Sequence, residues 1–204
     1  MSGRARRARP SGIATLALAL LTAGVAALAG GCDRLTPWQG LEVTPPRPVP
    51  AFTFTQADGR PVSTAPQPGR PLVVFFGYTH CPDVCPTTLA DWVRVRDRLG
   101  DAGDRVRFLF VSVDPARDTP AVAAAYAARF SPAFTGVSGD SATTAAILQA
   151  FGATAAPEPA TGASGYLVSH SSQLFLVDDQ GRLVAMYPFG RGWDALAADL
   201  EKLL

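Results

Sequence analysis

Cys81 and Cys85 stand four positions apart in Phe75-Phe76-Gly77-Tyr78-Thr79-His80-Cys81-Pro82-Asp83-Val84-Cys85-Pro86. An apolar run precedes them and a helix-like pattern follows. Cysteine ligates and attacks as thiolate, and the outward N–H groups of a helix start lower a thiol pKa. The chain has only one other cysteine, Cys32, so the pair is not packing filler. Three uses stay open: holding a metal, shuttling electrons, or forming a plain disulfide. Dithiol exchange centres usually have two residues between the cysteines, whereas this pair has three. The wider spacing lets the sulfurs converge on something between them. Soft thiolates select Cu(I), zinc or iron–sulfur. Two thiolates are too few for a closed structural zinc site, and they suit copper completed by one imidazole.

The chain has two histidines, and His170 is the natural third ligand. It lies in Ser169-His170-Ser171-Ser172, just before a predicted hairpin strand. The alternative is a hydrogen-bonded loop histidine. His80 adjoins Cys81, so joint ligation would strain the shared turn, and it is better placed to tune the thiol. Val111-Ser112-Val113-Asp114-Pro115-Ala116-Arg117-Asp118-Thr119-Pro120 reads as a strand end, a polar turn and a helix start. Asp114 and Asp118 there serve as caps or as partners of Arg117, at the edge of the same site. Asp83 reads as solvated. Met186, Phe75, Phe76, Phe108 and Phe110 read as core.

The elements that must position these residues alternate. Phe52–Thr55 and Arg60–Ser63 flank Asp58-Gly59 and predict a hairpin. Leu72–Tyr78 is a continuous apolar run, as for a strand buried on both faces. Pro86–Leu99 predicts a helix with Leu89, Trp92, Val93 and Leu99 on one face. Val106–Val113 predicts a second buried strand. Thr119 caps a helix over Pro120–Phe130, and Ser141–Phe151 predicts another. Ala153–Ser164 reads as a loop. Gln173–Val177 and Arg182–Tyr187 predict a second hairpin, and Trp193–Leu204 a closing helix. The pattern indicates a three-layer α/β domain with an N-terminal hairpin. A cysteine pair at the first strand-to-helix junction points to its thioredoxin-like version. Ligands of open α/β sheets sit beyond the carboxyl ends of the strands, where Cys81 and Cys85 fall.

The first residues carry Arg4, Arg6, Arg7 and Arg9, then the uncharged run Ile13–Ala29, then Gly30-Gly31-Cys32. This is the layout of an export signal, with the arginines left in the cytoplasm. Leu28-Ala29-Gly30-Gly31-Cys32 resembles a bacterial lipoprotein cleavage box, which makes Cys32 a candidate for lipidation. Residues 1–32 are therefore an export signal, a lipoprotein signal or a membrane anchor. Residues 33–50, with five prolines, read as an extended tether, and residues 51–204 as the domain. Every route places that domain outside the cytoplasm, where a dithiol must be kept reduced, metal-bound or cycling. From Asp33 onward 14 basic residues face 17 acidic ones, a balance of −3, with no nucleic-acid footprint.

Gly77-Tyr78-Thr79-His80-Cys81-Pro82-Asp83-Val84-Cys85-Pro86-Thr87-Thr88 resembles the signature of the Sco/SenC family of copper-binding assembly proteins. Val111–Pro120 is similar to that family's second block, and Tyr166-Leu167-Val168-Ser169-His170-Ser171 to its histidine block. The resemblance covers roughly Phe52 to Leu204. It implies a membrane-anchored domain on the periplasmic side of a bacterial inner membrane. It implies one copper, as Cu(I) or Cu(II), held by Cys81, Cys85 and His170. The implied role is a metallochaperone rather than an enzyme, delivering copper to the binuclear copper site of cytochrome c oxidase subunit II. A further periplasmic copper chaperone or thiol reductase is an expected partner. The family usually has aspartate before the histidine, whereas this chain has Ser169. If that carboxylate orients the imidazole, copper affinity here is expected to differ.

Two other readings compete. Cys81 and Cys85 can cycle as a thiol–disulfide reductase that keeps the cysteines of the same copper site reduced. Val84-Cys85-Pro86-Thr87 also resembles the peroxidatic segment of peroxiredoxins, although the upstream proline and threonine of that pattern are missing.

Overall fold

Leu72–Gly77 is buried at every position, which makes it the central strand of the domain. The computed structural model describes residues 37–159 and 165–204. The candidate lipidation site Cys32 and the apolar run 13–29 lie outside the described residues. Among the described residues, no helix is long and apolar enough to cross a membrane.

The strands are β1 (Leu41–Pro48), β2 (Thr53–Thr55), β3 (Pro61–Ser63), β4 (Leu72–Gly77) and β5 (Arg107–Ser112). They continue as β6 (Phe134–Val137), β7 (Ala155–Pro157), β8 (Val168–His170), β9 (Leu174–Val177) and β10 (Arg182–Tyr187). The α-helices are α1 (Val84–Leu99), α2 (Pro120–Ala128), α3 (Ser141–Phe151) and α4 (Trp193–Glu201). The main sheet runs β1-β10-β9-β4-β5-β6. β4, β5 and β6 are parallel, and the β9, β10 and β1 side is antiparallel. β2–β3 and β7–β8 form separate ribbons.

The aromatic side chains sort the layers. Phe75 packs on Trp92 of α1, and Phe110 packs on Tyr126 of α2. Phe76 points to the other face, against Phe151 of α3. α4 packs beside α1. The β4-α1-β5 and β5-α2-β6 crossovers put α1 and α2 on the same face. This is the three-layer α/β arrangement expected from the alternating pattern.

Several elements differ from the sequence reading, each for a physical reason. Residues 41–48, read as tether, pair with β10 as an edge strand. Prolines 45, 46 and 48 suit that place, because an edge strand has one side without ladder bonds. β6 had no strand of its own in the sequence reading. It is only four residues long, and Gly136 is needed there because a Cβ would lie 2.0 Å from the Ala123 carbonyl of α2. α1 begins two residues before Pro86, so Cys85 falls in its first turn. Val95 takes the buried place expected for Val93. The loop read over 153–164 contains β7. Thr119 caps α2 as expected, its hydroxyl accepting from the Val122 amide.

The start of the described chain is tied down by Asp199 of α4, which is fully buried. Its carboxylate accepts from the amides of Gln39 and Gly40, from the Tyr187 hydroxyl at 2.7 Å and from Lys202 Nζ at 2.6 Å. Burial alone would raise its pKa. The Lys202 and Tyr187 hydrogen bonds and the two amides outweigh burial and hold the carboxyl below its usual value. A lowered acid pKa adds stability above the unfolded value, and this is lost as pH falls through the folded value. Asp199→Asn is therefore expected to cost about 1–3 kcal/mol at neutral pH. The difference from wild type should shrink below about pH 4, as read from denaturant midpoints across pH.

Candidate metal centre

The polypeptide leaves β4 at Gly77 and turns over residues 78–83 before α1 begins. The turn is closed by the Cys81 amide donating to the Tyr78 carbonyl at 3.2 Å. Asp83 stands at the N-cap of α1, yet its side chain makes no capping bond. The Cys81 sulfur takes that place, accepting from the Cys85 amide at 3.5 Å. A thiolate there answers the partial positive charge of the helix start. Cys85 sits one turn further in and is completely buried. It lies against the strand end: a Cβ on Gly77 would stand 2.8 Å from its sulfur. Only glycine lets helix and strand approach this closely.

The same loop is clamped from the side by Asp118. This buried carboxylate accepts from the Thr79 amide at 2.9 Å, the Thr79 hydroxyl at 2.6 Å and the Ser112 hydroxyl at 2.6 Å. It joins the end of β5 to the approach to Cys81. The sequence placed Asp118 at the edge of the site, but the reach to Thr79 is a tertiary contact that spacing does not show. Asp114 pairs with Arg117 as expected, and it also accepts from the Tyr166 hydroxyl. Arg117 lies over the Tyr166 ring, 3.7 Å from its centre.

His170 reaches the site from the β7–β8 ribbon, not from the main sheet. Thr154 and Ser171 brace the ribbon end through a carbonyl-to-amide bond of 2.9 Å and an amide-to-hydroxyl bond of 3.0 Å. The imidazole stands edge-on to Phe75 and Tyr78. Its Nδ1 lies 3.1 Å from the Ser171 carbonyl. A carbonyl can only accept, so Nδ1 carries the proton and Nε2 presents its lone pair. Nε2 points at the Cys85 sulfur, 3.7 Å away.

Cys81, Cys85 and His170 each bring a ligand atom within 4.8 Å of the other two. An ion with three bonds of roughly 2.0–2.3 Å spreads its ligands about 3.5–4 Å apart, so small adjustments close the site on a metal. Cys81 is half-buried and Cys85 is enclosed, so access is from the Cys81 side. The two cysteines are free thiols rather than a disulfide. His80 does not join them. It is exposed, with Nδ1 3.2 Å from the Thr79 hydroxyl and 3.8 Å from Asp118.

The two sulfurs differ electrostatically. The Cys85 thiol donates to Cys81, and this outweighs burial. With help from the Asp83 and Cys85 amides, it holds Cys81 down at about 3. Sharing the same proton, together with burial, pushes Cys85 upward. The pair thus carries one proton, held on the inner sulfur.

This arrangement is a thioredoxin-like domain with a two-thiolate, one-imidazole centre at the carboxyl end of its central strand. The model of the SCO1/SenC family matches residues 43–204, and the chain belongs to that family. It is 35% identical over 131 residues to the protein SenC of Rhodobacter capsulatus, covering 62% of this chain and 57% of that one. It spans about half the length of the mitochondrial protein SCO2 of Saccharomyces cerevisiae, at 31% identity over 154 residues. Apo Sco1 of Thermus thermophilus aligns with a TM-score of 0.73 at 38% identity, over 83% of this chain and 99% of that one. The copper-bound ScoI of Bradyrhizobium japonicum aligns with a TM-score of 0.68 at 37% identity, over 76% and 99%.

Two predictions follow from the geometry. Ser169 is exposed and is the strand neighbour of His170, so its side chain leaves the opposite face. The Ser171 carbonyl already holds Nδ1. Ser169→Asp is therefore expected to change metal affinity by far less than the roughly 10–100-fold typical of a lost outer partner, measured by competition titration. In the metal-free protein, iodoacetamide near pH 6 should modify Cys81 and spare Cys85. Peptide mass mapping reads the site, and equal modification of both would refute the unequal pair.

Proposed function

We propose that this chain is an extracytoplasmic copper-binding protein of cytochrome c oxidase assembly, holding one copper through Cys81, Cys85 and His170. The observation that carries this reading is the convergence of two sulfurs and an imidazole lone pair in a site open on one side. Two thiolates favour Cu(I), and the imidazole lets the same site accept Cu(II). A three-coordinate ion leaves room for an incoming ligand, so a partner can draw the metal away by stepwise exchange. The partner proposed is cytochrome c oxidase subunit II, with its binuclear copper site as the acceptor. Supply would come from another periplasmic copper chaperone. The basic and apolar N-terminal segment, with Cys32 as its lipidation site, would fix the domain to the periplasmic face of the inner membrane.

A second reading is favoured by the unequal cysteines. A Cys81 thiolate can attack a partner disulfide, forming one S–S bond as the partner's bond breaks. The Cys85 thiolate formed by loss of its proton then attacks Cys81 in that mixed disulfide. This releases the partner as a dithiol and leaves Cys81–Cys85 oxidised. The two activities use the same atoms and can alternate in one protein.

Anaerobic copper titration separates them. The reduced chain is expected to take up one copper, with affinity falling at least about 10–100-fold in Cys81→Ser, Cys85→Ser and His170→Ala. No uptake, together with a mixed disulfide trapped on subunit II by Cys85→Ser, would move the assignment to the reductase.

A further inference from the structure

The opposite end of the sheet carries a charged feature that the metal centre does not use. Arg107 opens β5 beside Leu72 at the start of β4. The cysteine pair follows the far ends of these strands, roughly 16–20 Å away at about 3.3 Å per residue. A cleft of about 370 Å³ lies at this end, lined by Arg107, Arg70, Ser63 and Gln67 over an apolar wall that includes Leu72 and Phe108. Its volume is within the range of small-molecule sites.

The Arg107 guanidinium is only partly used. Nη1 donates to the Ser63 carbonyl at 3.2 Å. Nε and Nη2 are buried and have no hydrogen-bond partner. These two nitrogens form the edge of the guanidinium that grips an oxyanion through two parallel bonds. Buried donors in a folded protein are normally paired, so an empty edge of this shape calls for an acceptor. Asp104 is the acidic residue lining the cleft, and it pairs with Arg96 instead. Burial, and then the neighbouring charge of Arg70, lower the Arg107 pKa, the mark of a cation without a counter-ion. Arg70 is exposed and held only by long bonds, 3.4 Å to the Arg105 carbonyl and 3.3 Å to Gln67 Oε1. It lines the same cleft as Arg107, at its exposed rim. The charge is local: from Asp33 onward the chain is acidic, 14 basic against 17 acidic residues.

We propose that this cleft binds a small oxyanion, a phosphate group gripped by Arg107 Nε and Nη2 with Arg70 on its outer side. The group comes from a free solute or from a phospholipid head. The site is independent of copper binding at the other end.

The Arg107 Nε–H signal of the ¹⁵N-labelled full chain tests this directly. Inorganic phosphate at constant ionic strength is expected to shift it saturably, and chloride is not. The backbone signals of Ser63 and Phe108 follow the same curve in variants. Arg107→Lys keeps the charge but loses the fork, and should weaken binding about tenfold or more. Arg70→Gln, on the surface, should weaken it less and leave metal affinity at the cysteines unchanged. In a second arm, nanodiscs of phosphatidylglycerol are compared with phosphatidylcholine. A shift with phosphatidylglycerol but not with phosphate assigns the lipid head as the source. If neither probe moves the Arg107 signal, or chloride moves it as far, the cleft is not an oxyanion site.

Discussion

The close approach of Cys85 to Gly77 is the constraint on which the site depends. A helix can start directly over the end of β4 only if the last strand residue has no side chain. The sulfur then fills that space, also touching the region of Phe75 and Phe110 that a Cβ on Gly77 would enter. This fixes the start of α1, and the start of α1 fixes Cys81 four residues before Cys85, as the sulfur that accepts the first-turn amide. The Asp118 clamp on Thr79 holds the other end of the same turn. Both sulfurs are therefore placed by backbone geometry before any metal or partner arrives. Little reorganisation is left for the binding step.

The third ligand is held by different means. His170 comes from a ribbon that pairs only with itself, β7 with β8. Its ring is set by two aromatic edges and by one carbonyl from the next residue. A neighbouring carboxylate at position 169 is not needed for this, because the ring nitrogen away from the sulfurs is already bonded. The orientation that a family pattern assigns to a side chain is supplied here by the main chain. Position 169 is left free on the outer face.

What the sequence made legible follows from locality. β4, α2 and α3 carry their signals within themselves: an unbroken apolar run, a Thr-Pro start, a short apolar stripe. The cysteine block is local too, so Cys81 and Cys85 stood out at once. β1 was hidden because its prolines read as a tether, and only pairing with β10 makes it a strand. β6 was hidden because four residues around a glycine show no period, and its glycine answers to α2 rather than to the strand. Arg107 and Asp118 are single charged residues at strand and turn boundaries. Their meaning lies in what the fold brings, or fails to bring, opposite them.

The unequal cysteines tie the two proposed activities together. Removing two thiol protons from a buried pair would be costly, whereas this site enters metal binding with Cys81 already ionised and a single proton on Cys85. Uptake of a cation then displaces one proton rather than two, and the cation replaces the charge that the proton had supplied. Without a metal, the same distribution makes the outer sulfur the attacking group and the inner one the resolving group. A lowered thiol pKa raises the share of thiolate while lowering its intrinsic nucleophilicity. Both proposed roles therefore draw on one distribution of charge, with the inner sulfur serving as second ligand in one and as resolving group in the other.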